Sequence, residues 1–221
     1  MPVTHAPRRP RAQAGFTLAE IAIVLVIITI LASVFILPLG GQLEARQRAE
    51  ARDTLEDIRA ALIGYAIIHK RLPCPTVNID VTDAAHGLEP ASSPPCAAAT
   101  SDGFLPWRQL GIAPRDPWGN HWRYRVDAAF AVTIAPTTNT ANNLIVRDHQ
   151  GADLTLTSDN TAAFIVYSTG ANLQAEGLNA LYESGTDATY EAGEPTTTFD
   201  DMVSWIGRPL LIARLAEAGA F

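Results

Sequence analysis

The most restrictive feature of the chain is a long apolar stretch close to its N-terminus. Residues 21–37 contain no charged side chain, and Thr29 and Ser33 contribute the only hydroxyl groups. A helix needs about 20 predominantly apolar residues to cross a hydrocarbon layer of about 30 Å. We therefore predict a transmembrane helix over residues 16–39, followed by a soluble domain outside the membrane.

The charges that flank this stretch predict its orientation. Arg8, Arg9 and Arg11 precede it, and residues 1–15 contain no acidic side chain. Basic residues favour the cytoplasmic side of a membrane, so the N-terminus is expected inside and the C-terminal domain in the periplasm. The formal net charge of the whole chain is −7. This acidity argues against nucleic acid as a partner.

A helical pattern continues beyond the apolar stretch. Apolar and aromatic residues follow one another at a spacing of three to four, which is typical of one buried helix face, at Leu55, Ile58, Leu62, Tyr65 and His69. The first helix is therefore predicted to cover residues 16–70, with residues 40–70 packed on the domain. Pro38 and Gly41 predict a kink or a short unwound stretch within it.

The domain at residues 71–221 is predicted to consist mainly of short strands. Segments rich in β-formers, separated by turn residues, occur at residues 121–126, 130–134, 143–147, 153–157 and 163–167. A last strand is predicted at residues 202–206 and a terminal helix at residues 209–218. The order of helix and then strands predicts an α+β fold, in which an antiparallel meander packs on the outer half of the first helix.

The chain has two cysteines, Cys74 and Cys96, within an irregular connection at residues 72–106. An exported compartment is oxidising enough to join them, so we predict a disulfide. The chain contains no CxxC pair, and two cysteines without a suitably spaced pair of histidines make a poor zinc site.

The residues before the apolar stretch carry the most specific motif. The sequence GFTLAE at residues 15–20 leads directly into the apolar helix. It resembles the cleavage and methylation signal of type IV prepilins. The resemblance implies that a prepilin peptidase cuts after Gly15 and methylates the new amino group of Phe16. It also implies that Glu20 neutralises the N-terminal amine of a neighbouring subunit in a filament. From the residues alone, a carboxylate that reaches the membrane interface is the alternative for Glu20.

Three patches in the domain are similar to major pseudopilins of type II secretion. They are DPWGN at residues 116–120 with Tyr124 after it, YSTGAN at residues 167–172, and DDMVSW at residues 200–205. From the residues alone, DPWGN is a tight turn, and Trp118, Trp122 and Trp205 are packing residues. The resemblance implies a pilin-like fold with a long N-terminal helix on an antiparallel sheet.

The same resemblance makes calcium a candidate ligand of the domain. In major pseudopilins the loop that matches residues 170–201 binds calcium, and Asn172, Asp200 and Asp201 occupy the matching positions. The chain departs from the pattern through extra residues at 173–198 and through a neutral amide at the first position. Acidic residues of the insertion can compensate, namely Asp187, Glu191 and Glu194. The alternative is a solvated acidic loop, so calcium remains a candidate and no metal is assigned.

No catalytic function is predicted. The five histidines are scattered, and neither a GxSxG nor a phosphate-binding motif is present. The prepilin-type resemblance implies a structural subunit of the pseudopilus of a type II secretion-like system, held in the inner membrane before assembly. Its implied partners are prepilin peptidase, other pilin or pseudopilin subunits and an inner-membrane assembly platform. Two alternatives stay open: a minor type IV pilin of a surface pilus, and a bitopic membrane protein with an exported binding domain that does not polymerise.

Overall fold

The computed structural model describes residues 17–90, 96, 102–184 and 188–221. Gly15 and Phe16 lie outside the described residues. The helices are α1 (Leu18–His69), α2 (Trp107–Leu110) and α3 (Arg208–Glu217). The strands are β1 (Asp102–Phe104), β2 (Arg123–Val126), β3 (Ile145–Arg147), β4 (Ala162–Ser168), β5 (Thr189–Glu191) and β6 (Met202–Gly207). Short 3₁₀ segments occur at Ala128–Phe130, Ser158–Asn160 and Gly177–Ser184.

The chain divides into two compact units, Met1–Ala45 and Arg46–Phe221. In the first unit, the described residues belong almost entirely to α1, and its large apolar side chains are exposed, with Val24 at 49% and Ile23 at 60%. The backbone stays helical at Pro38 and Gly41, so the predicted unwound stretch is absent. One proline removes one backbone donor, and the flanking turns keep theirs. Across the described part of the chain, no helix combines the length and the apolar character that a membrane span requires.

In the second unit, the later part of α1 forms one side of the main core. The predicted three-to-four spacing is confirmed up to Tyr65, within a buried stripe that also contains Ala51, Leu55, Ile58, Leu62 and Ala66. His69, which was predicted to belong to this stripe, is exposed because it lies at the end of α1. This stripe belongs to the same core as Tyr124 and Phe164 of the sheet and Trp122, which directly precedes β2. The sheet is antiparallel with the strand order β1-β2-β4-β6. The predicted α+β arrangement, a helix packed on an antiparallel sheet, is therefore confirmed.

Strand β4 is buried along its whole length because both of its faces are covered. Side chains of a strand alternate between two faces. Accordingly, Phe164 and Val166 belong to the main core, whereas Ile165 and Tyr167 belong to a second apolar cluster. That cluster is completed by the small sheet of β3 and β5, with Val146 and Tyr190 fully or almost fully buried.

The structure corrects three predictions for the strands. Residues 130–134 do not form a strand, because Asp127 accepts hydrogen bonds from the backbone of residues 129, 141 and 142 and turns the chain into a 3₁₀ segment. Residues 153–157 make only an isolated bridge, between Asp153 and Arg147. The strands do not form one antiparallel meander, since β3 pairs with β5 in parallel.

The irregular connection after α1 is held by a disulfide and a partly buried carboxylate. The sulfur atoms of Cys74 and Cys96 are 1.99 Å apart, and both residues are buried. Glu89 accepts hydrogen bonds from both terminal nitrogens of Arg71, at 2.6 and 2.9 Å, and from the Cys74 backbone at 2.9 Å. Gln109 adds a further bond at 3.0 Å. Burial opposes ionisation, but these donors outweigh it and lower the pKa of Glu89 to about 2.

We predict that replacing Glu89 with glutamine destabilises the domain in a pH-dependent way. A carboxyl group with a lowered folded-state pKa contributes stability above its unfolded pKa, and this contribution is lost as the pH falls through the folded pKa. Breaking a buried ion pair costs about 3 kcal/mol. Denaturant unfolding of Glu89→Gln should show that loss at pH 7 and a much smaller difference from wild type near pH 2. Glu217→Gln, at an exposed pair with Arg214, is the control. Equal losses at both pH values would contradict the prediction.

Candidate metal centre

Glu20 of the prepilin-type motif lies in the first turn of α1. Glu20 accepts hydrogen bonds from the backbone nitrogen and the hydroxyl of Thr17, at 3.0 and 3.1 Å, and the Glu20 backbone donates to the same hydroxyl at 3.2 Å. This reciprocal pattern is a capping box, which satisfies backbone donors in the first turn of a helix. In the single chain the partner of Glu20 is therefore local.

The DPWGN segment is a tight turn, as its residues predict. The Asp116 carboxylate accepts hydrogen bonds from the backbone of Trp118 and Asn120, at 3.0 and 2.8 Å, and from the hydroxyl of Ser168 at 2.5 Å. The Asn120 side chain donates to the carbonyl of Gly170 at 3.0 Å. The turn is thereby fastened to the end of β4, where the acidic loop begins.

The beginning of the acidic loop is folded around Asp200. One carboxylate oxygen of Asp200 accepts hydrogen bonds from the backbone N–H groups of Ala171 and Asn172, at 2.8 and 3.1 Å. Gly170 has a φ of +62°, and a Cβ atom there would lie 2.4 Å from the Asp200 carboxyl carbon. Only glycine fits this position, both for its backbone angle and for the space available.

Three carboxylates converge where the two ends of the loop meet. Oxygen atoms of Glu176, Asp200 and Asp201 lie within 4.8 Å of one another. Asp201 is 1% exposed, and one of its oxygens accepts hydrogen bonds from the Glu176 backbone and the Asn179 amide, both at 2.9 Å. The Oδ1 atoms of Asp200 and Asp201 are buried and have no hydrogen-bond partner among the described residues.

The electrostatics of this carboxylate cluster favour a bound cation. Burial is the main cause that raises the pKa of Asp201, to about 7, and the negative charges of Glu176 and Asp200 raise it further. Buried carboxylate oxygens without donors are costly unless protons or a cation neutralise them. Calcium takes carboxylate and carbonyl oxygens as ligands, so the residues present fit this ion. Glu176, Asp200 and Asp201 are the side chains that would hold it.

The structure brings together two of the three calcium candidates from the sequence. Asp200 and Asp201 are in the carboxylate cluster. The Asn172 side chain instead donates to Glu176 and accepts from the Gln174 backbone at 2.8 Å. Glu176 was missed because it lies within the insertion at residues 173–198, where no pattern indicated which acid turns inward.

The three acids of the insertion that the sequence suggested as further ligands do not join this cluster within the described residues. Glu191 and Glu194 lie outside the carboxylate cluster, and Asp187 is outside the described residues. His149 places its Nδ1 2.8 Å from a carboxylate oxygen of Glu191 and its Nε2 3.0 Å from the carbonyl oxygen of Glu194. Both partners are acceptors, so only an imidazolium, which has two N–H donors, satisfies both contacts. The hydrogen bond to Glu191 is the main cause that raises the pKa of His149.

Comparisons with known proteins cover about half of the chain. Residues 10–36 match the family described as the prokaryotic N-terminal methylation motif. The type II secretion system core protein G of Aeromonas hydrophila is 30% identical over 113 residues, which cover 51% of this chain and 73% of that protein. The chain belongs to the type II secretion system core protein G family.

Two further core proteins G show similar relationships. The protein of Escherichia coli strain K12 is 32% identical over 111 residues, which cover 50% of this chain and 70% of that protein. The protein of Pectobacterium carotovorum is 33% identical over 113 residues, which cover 50% of this chain and 65% of that protein. No solved structure matches the chain. About half of this chain therefore lies outside each of these core protein G alignments.

We predict that calcium stabilises the domain through the carboxylate cluster. Calcium should raise the melting temperature, and Asp201→Asn should abolish this shift because the variant removes a buried negative charge that the ion neutralises. A ligand at 100 times its dissociation constant stabilises by about 2.7 kcal/mol. Differential scanning calorimetry with calcium and with EDTA measures the effect. Asp57→Asn, at an exposed acid of α1, is the matched control. An equal calcium shift in wild type and Asp201→Asn would contradict the prediction.

We also predict that the contacts of His149 weaken as the pH rises. A histidine with a raised folded-state pKa contributes stability that is fully present below its unfolded pKa of about 6.5, and this contribution is lost as the pH rises through the folded pKa. The stability difference between wild type and His149→Gln should be largest near pH 5.5 and smallest above the folded pKa. Imidazole NMR titration of wild type and Glu191→Gln checks the cause. An unchanged pKa of His149 in Glu191→Gln would show that this carboxylate is not responsible.

Proposed function

We propose that the chain is a structural subunit of the pseudopilus of a type II secretion-like system. The observation that carries this proposal is the GFTLAE sequence at residues 15–20, which lies within the methylation motif at residues 10–36. The relatives are named as core proteins of a type II secretion system, and this supports the assignment of the chain to a system of the same kind. The role is structural, and no catalysis is assigned.

Processing and membrane anchoring form the first part of this proposal. Prepilin peptidase removes residues 1–15, and Phe16 becomes the methylated N-terminus. Residues 16–39 then anchor the chain in the inner membrane, with the domain at residues 71–221 in the periplasm. The uncharged stretch at residues 21–37 and the three arginines before it support this topology. The disulfide between Cys74 and Cys96 suits an oxidising compartment.

Assembly through Glu20 forms the second part. In the single chain the Glu20 carboxylate binds to Thr17, three residues away. Cleavage after Gly15 places a positively charged amine on Phe16, and an apolar filament core disfavours an unpaired amine. In the filament, Glu20 therefore exchanges its contacts with Thr17 for the Phe16 amine of a neighbouring subunit. The exchange sets the axial register between subunits.

The carboxylate cluster has a supporting role in the proposed subunit. Glu176, Asp200 and Asp201 would hold a calcium ion, and its charge would neutralise the buried carboxylates where the acidic loop begins and ends. The loop would then stay folded against the sheet during export and assembly. This role is one of stability, so chelation is expected to reduce the amount of assembled subunit without affecting cleavage at Gly15.

We predict that Glu20→Ala separates membrane insertion from assembly. The variant should be inserted like wild type, because it removes a polar group from the predicted transmembrane helix at residues 16–39. It should also be cleaved like wild type, because Gly15 and Phe16 are unchanged. Its incorporation into sheared filaments should fall by at least about tenfold, since an unpaired buried charge costs about 3 kcal/mol or more. Quantitative immunoblots of membrane and filament fractions measure both quantities, and N-terminal mass analysis should find methylated Phe16.

Thr17→Ala is the matched control, because it removes the hydroxyl of the capping box and keeps the carboxylate. It should assemble nearly as well as wild type. If both variants lose assembly equally, the local cap is the function of Glu20. Wild-type protein that starts at Met1 in cells with active prepilin peptidase would remove the processing step from the proposal.

A further inference from the structure

The residues that follow β5 cross the surface of the domain as a short strap. Residues 192–195, which we call the strap, line a cavity of about 310 Å³ together with residues of α1 and β6. From the helix and the strand, the described lining includes Leu55 and Met202, and both of these side chains are buried. A displacement of the strap therefore exposes apolar side chains of both elements.

The strap is fixed at its two ends by backbone hydrogen bonds. Ala192 donates to the carbonyl oxygen of Arg147 at 2.8 Å. Thr196, directly after the strap, donates to the carbonyl oxygen of Phe199 at 2.7 Å. Residues 193–194, between these two points, are exposed. A segment opens locally where few contacts hold it, so these residues are the part of the strap that can move.

Among the described residues, two polar contacts hold the middle of the strap, and both are made by Glu194. Its carboxylate lies 3.6 Å from the Arg52 guanidinium of α1, and both side chains are largely exposed. An exposed ion pair contributes little to stability. The carbonyl oxygen of Glu194 lies 3.0 Å from the Nε2 atom of His149. His149 is therefore the main group that keeps the strap closed.

A second contact fixes the imidazole ring of His149 through its other nitrogen. Its Nδ1 lies 2.8 Å from one carboxylate oxygen of Glu191, and the other oxygen accepts a hydrogen bond from the Leu178 backbone at 3.1 Å. The Asn179 amide binds the backbone of Glu191 through its oxygen and its nitrogen, at 2.8 and 3.0 Å. The Phe199 ring meets the imidazole edge-on at 4.8 Å. The ring and Glu191 therefore stay in place when the contact with the strap is lost.

The protonation state of His149 decides which of its two contacts can exist. The imidazolium has two N–H donors and satisfies both acceptors, whereas the neutral ring has one donor. A hydrogen bond to a charged acceptor is the stronger one, so the neutral ring keeps its proton on Nδ1, towards Glu191. Its Nε2 lone pair then faces the carbonyl oxygen of Glu194, and two acceptors repel each other. Deprotonation thus releases the strap and leaves Glu191 bound.

The groups around His149 set the pH range of this change. The hydrogen bond to Glu191 is the largest cause that raises the pKa of His149, and the one to the Glu194 carbonyl is the next. Burial acts in the opposite direction, and the charges of Glu191 and Asp148 add to the increase. Two ion pairs also lie in the adjoining segments, namely Arg147 with Asp153 and Arg52 with Glu194. The strap is therefore held below the unfolded pKa of about 6.5 and is released as the pH rises through the folded pKa.

Gly193 allows the imidazole ring to lie directly against the strap. A Cβ atom at this position would overlap the Nε2 atom of His149. Atoms in a packed structure do not overlap in this way, so any larger residue must displace either the ring or the strap. The contact between His149 and the strap thus depends on the glycine.

We propose that His149 is a pH-sensitive switch that closes the strap over the cavity between α1 and β6. The imidazolium binds the Glu194 carbonyl and keeps Leu55 and Met202 covered. The neutral ring releases residues 193–194, and the two apolar side chains become accessible to solvent. The inference does not depend on the processing or the polymerisation of the chain, or on calcium.

The test follows the methyl group of Met202 in the full chain, held in a neutral detergent with EDTA. The sequence has two methionines, so ¹³C-methyl labelling gives two signals, and Met202→Leu assigns them. A neutral paramagnetic relaxation agent measures the exposure of each methyl group. Its effect on Met202 should increase at least about twofold between about pH 5.5 and about pH 8.5, because the agent reaches only exposed groups. The midpoint of the increase should equal the pKa that the imidazole signals of His149 report.

Four variants identify the cause of the increase. His149→Gln should expose Met202 at both pH values, because its amide has an oxygen in place of one of the two donors. Gly193→Ala should expose it at about pH 5.5 although the imidazole is charged, and it tests the contact even if His149→Gln unfolds. His69→Gln, at an exposed histidine of α1, is the matched control and should keep the wild-type increase. Asp201→Asn should also keep it, which excludes titration of the carboxyl group next to Met202.

Three results would overturn the proposal. The first is an exposure of Met202 that does not change with pH in wild type, or that changes with a midpoint different from the pKa of His149. The second is a wild-type increase that persists in His149→Gln. The third is an increase that disappears in Asp201→Asn, because Asp201 and not His149 would then control the strap.

Discussion

Burial of β4 on both faces is the constraint on which the rest of the domain depends. Phe164 and Val166 join the sheet to the helix α1, and Ile165 and Tyr167 join it to the second apolar cluster. A fully buried strand cannot shift by one residue without exchanging the side chains of its two faces. The end of β4 is therefore fixed in space, and Ser168 and Gly170 begin the candidate site from that fixed point.

Asp116 connects the fixed end of β4 to the DPWGN turn at the surface. Its buried carboxylate joins the Ser168 hydroxyl to the backbone of the tight turn, and Asn120 joins the same turn to Gly170. Buried polar groups that are fully hydrogen-bonded specify one arrangement, because any alternative leaves a group without a partner. The DPWGN turn is consequently held in register with the end of β4 and with the start of the acidic loop.

The sequence predicts those parts of the molecule in which local patterns and tertiary packing agree. The stripe at Leu55, Ile58 and Leu62 is periodic, and β4 is a continuous run of apolar and β-branched residues, so both were found. Residues 130–134 have strand propensity, but the distant backbone groups that bind to Asp127 favour a turn. The pairing of β3 with β5 also depends on contacts far apart in the chain, which local propensity does not encode.

The candidate site was predictable only in part, for a related reason. Asp200 and Asp201 belong to the DDMVSW pattern, directly before β6, and the sequence therefore indicated them. Glu176 reaches the carboxylate cluster only because the 3₁₀ segment at Gly177–Ser184 and the Asn179 amide position the chain around it. Asn172 has a suitable residue type, but its amide is used within the loop. Residue type indicated the class of ligand, and only the fold decided which oxygens meet.

The carboxylate cluster joins the two ends of one loop. Glu176 lies six residues after Gly170, and Asp200 and Asp201 directly precede β6. The backbone of this segment is held by Asp200 at one end and by Asp201 at the other. Neutralising the buried charge of Asp200 and Asp201 lowers the free energy of the folded segment, because their Oδ1 atoms have no hydrogen-bond partner among the described residues. The fold of this loop is therefore tied to the charge state of the carboxylate cluster.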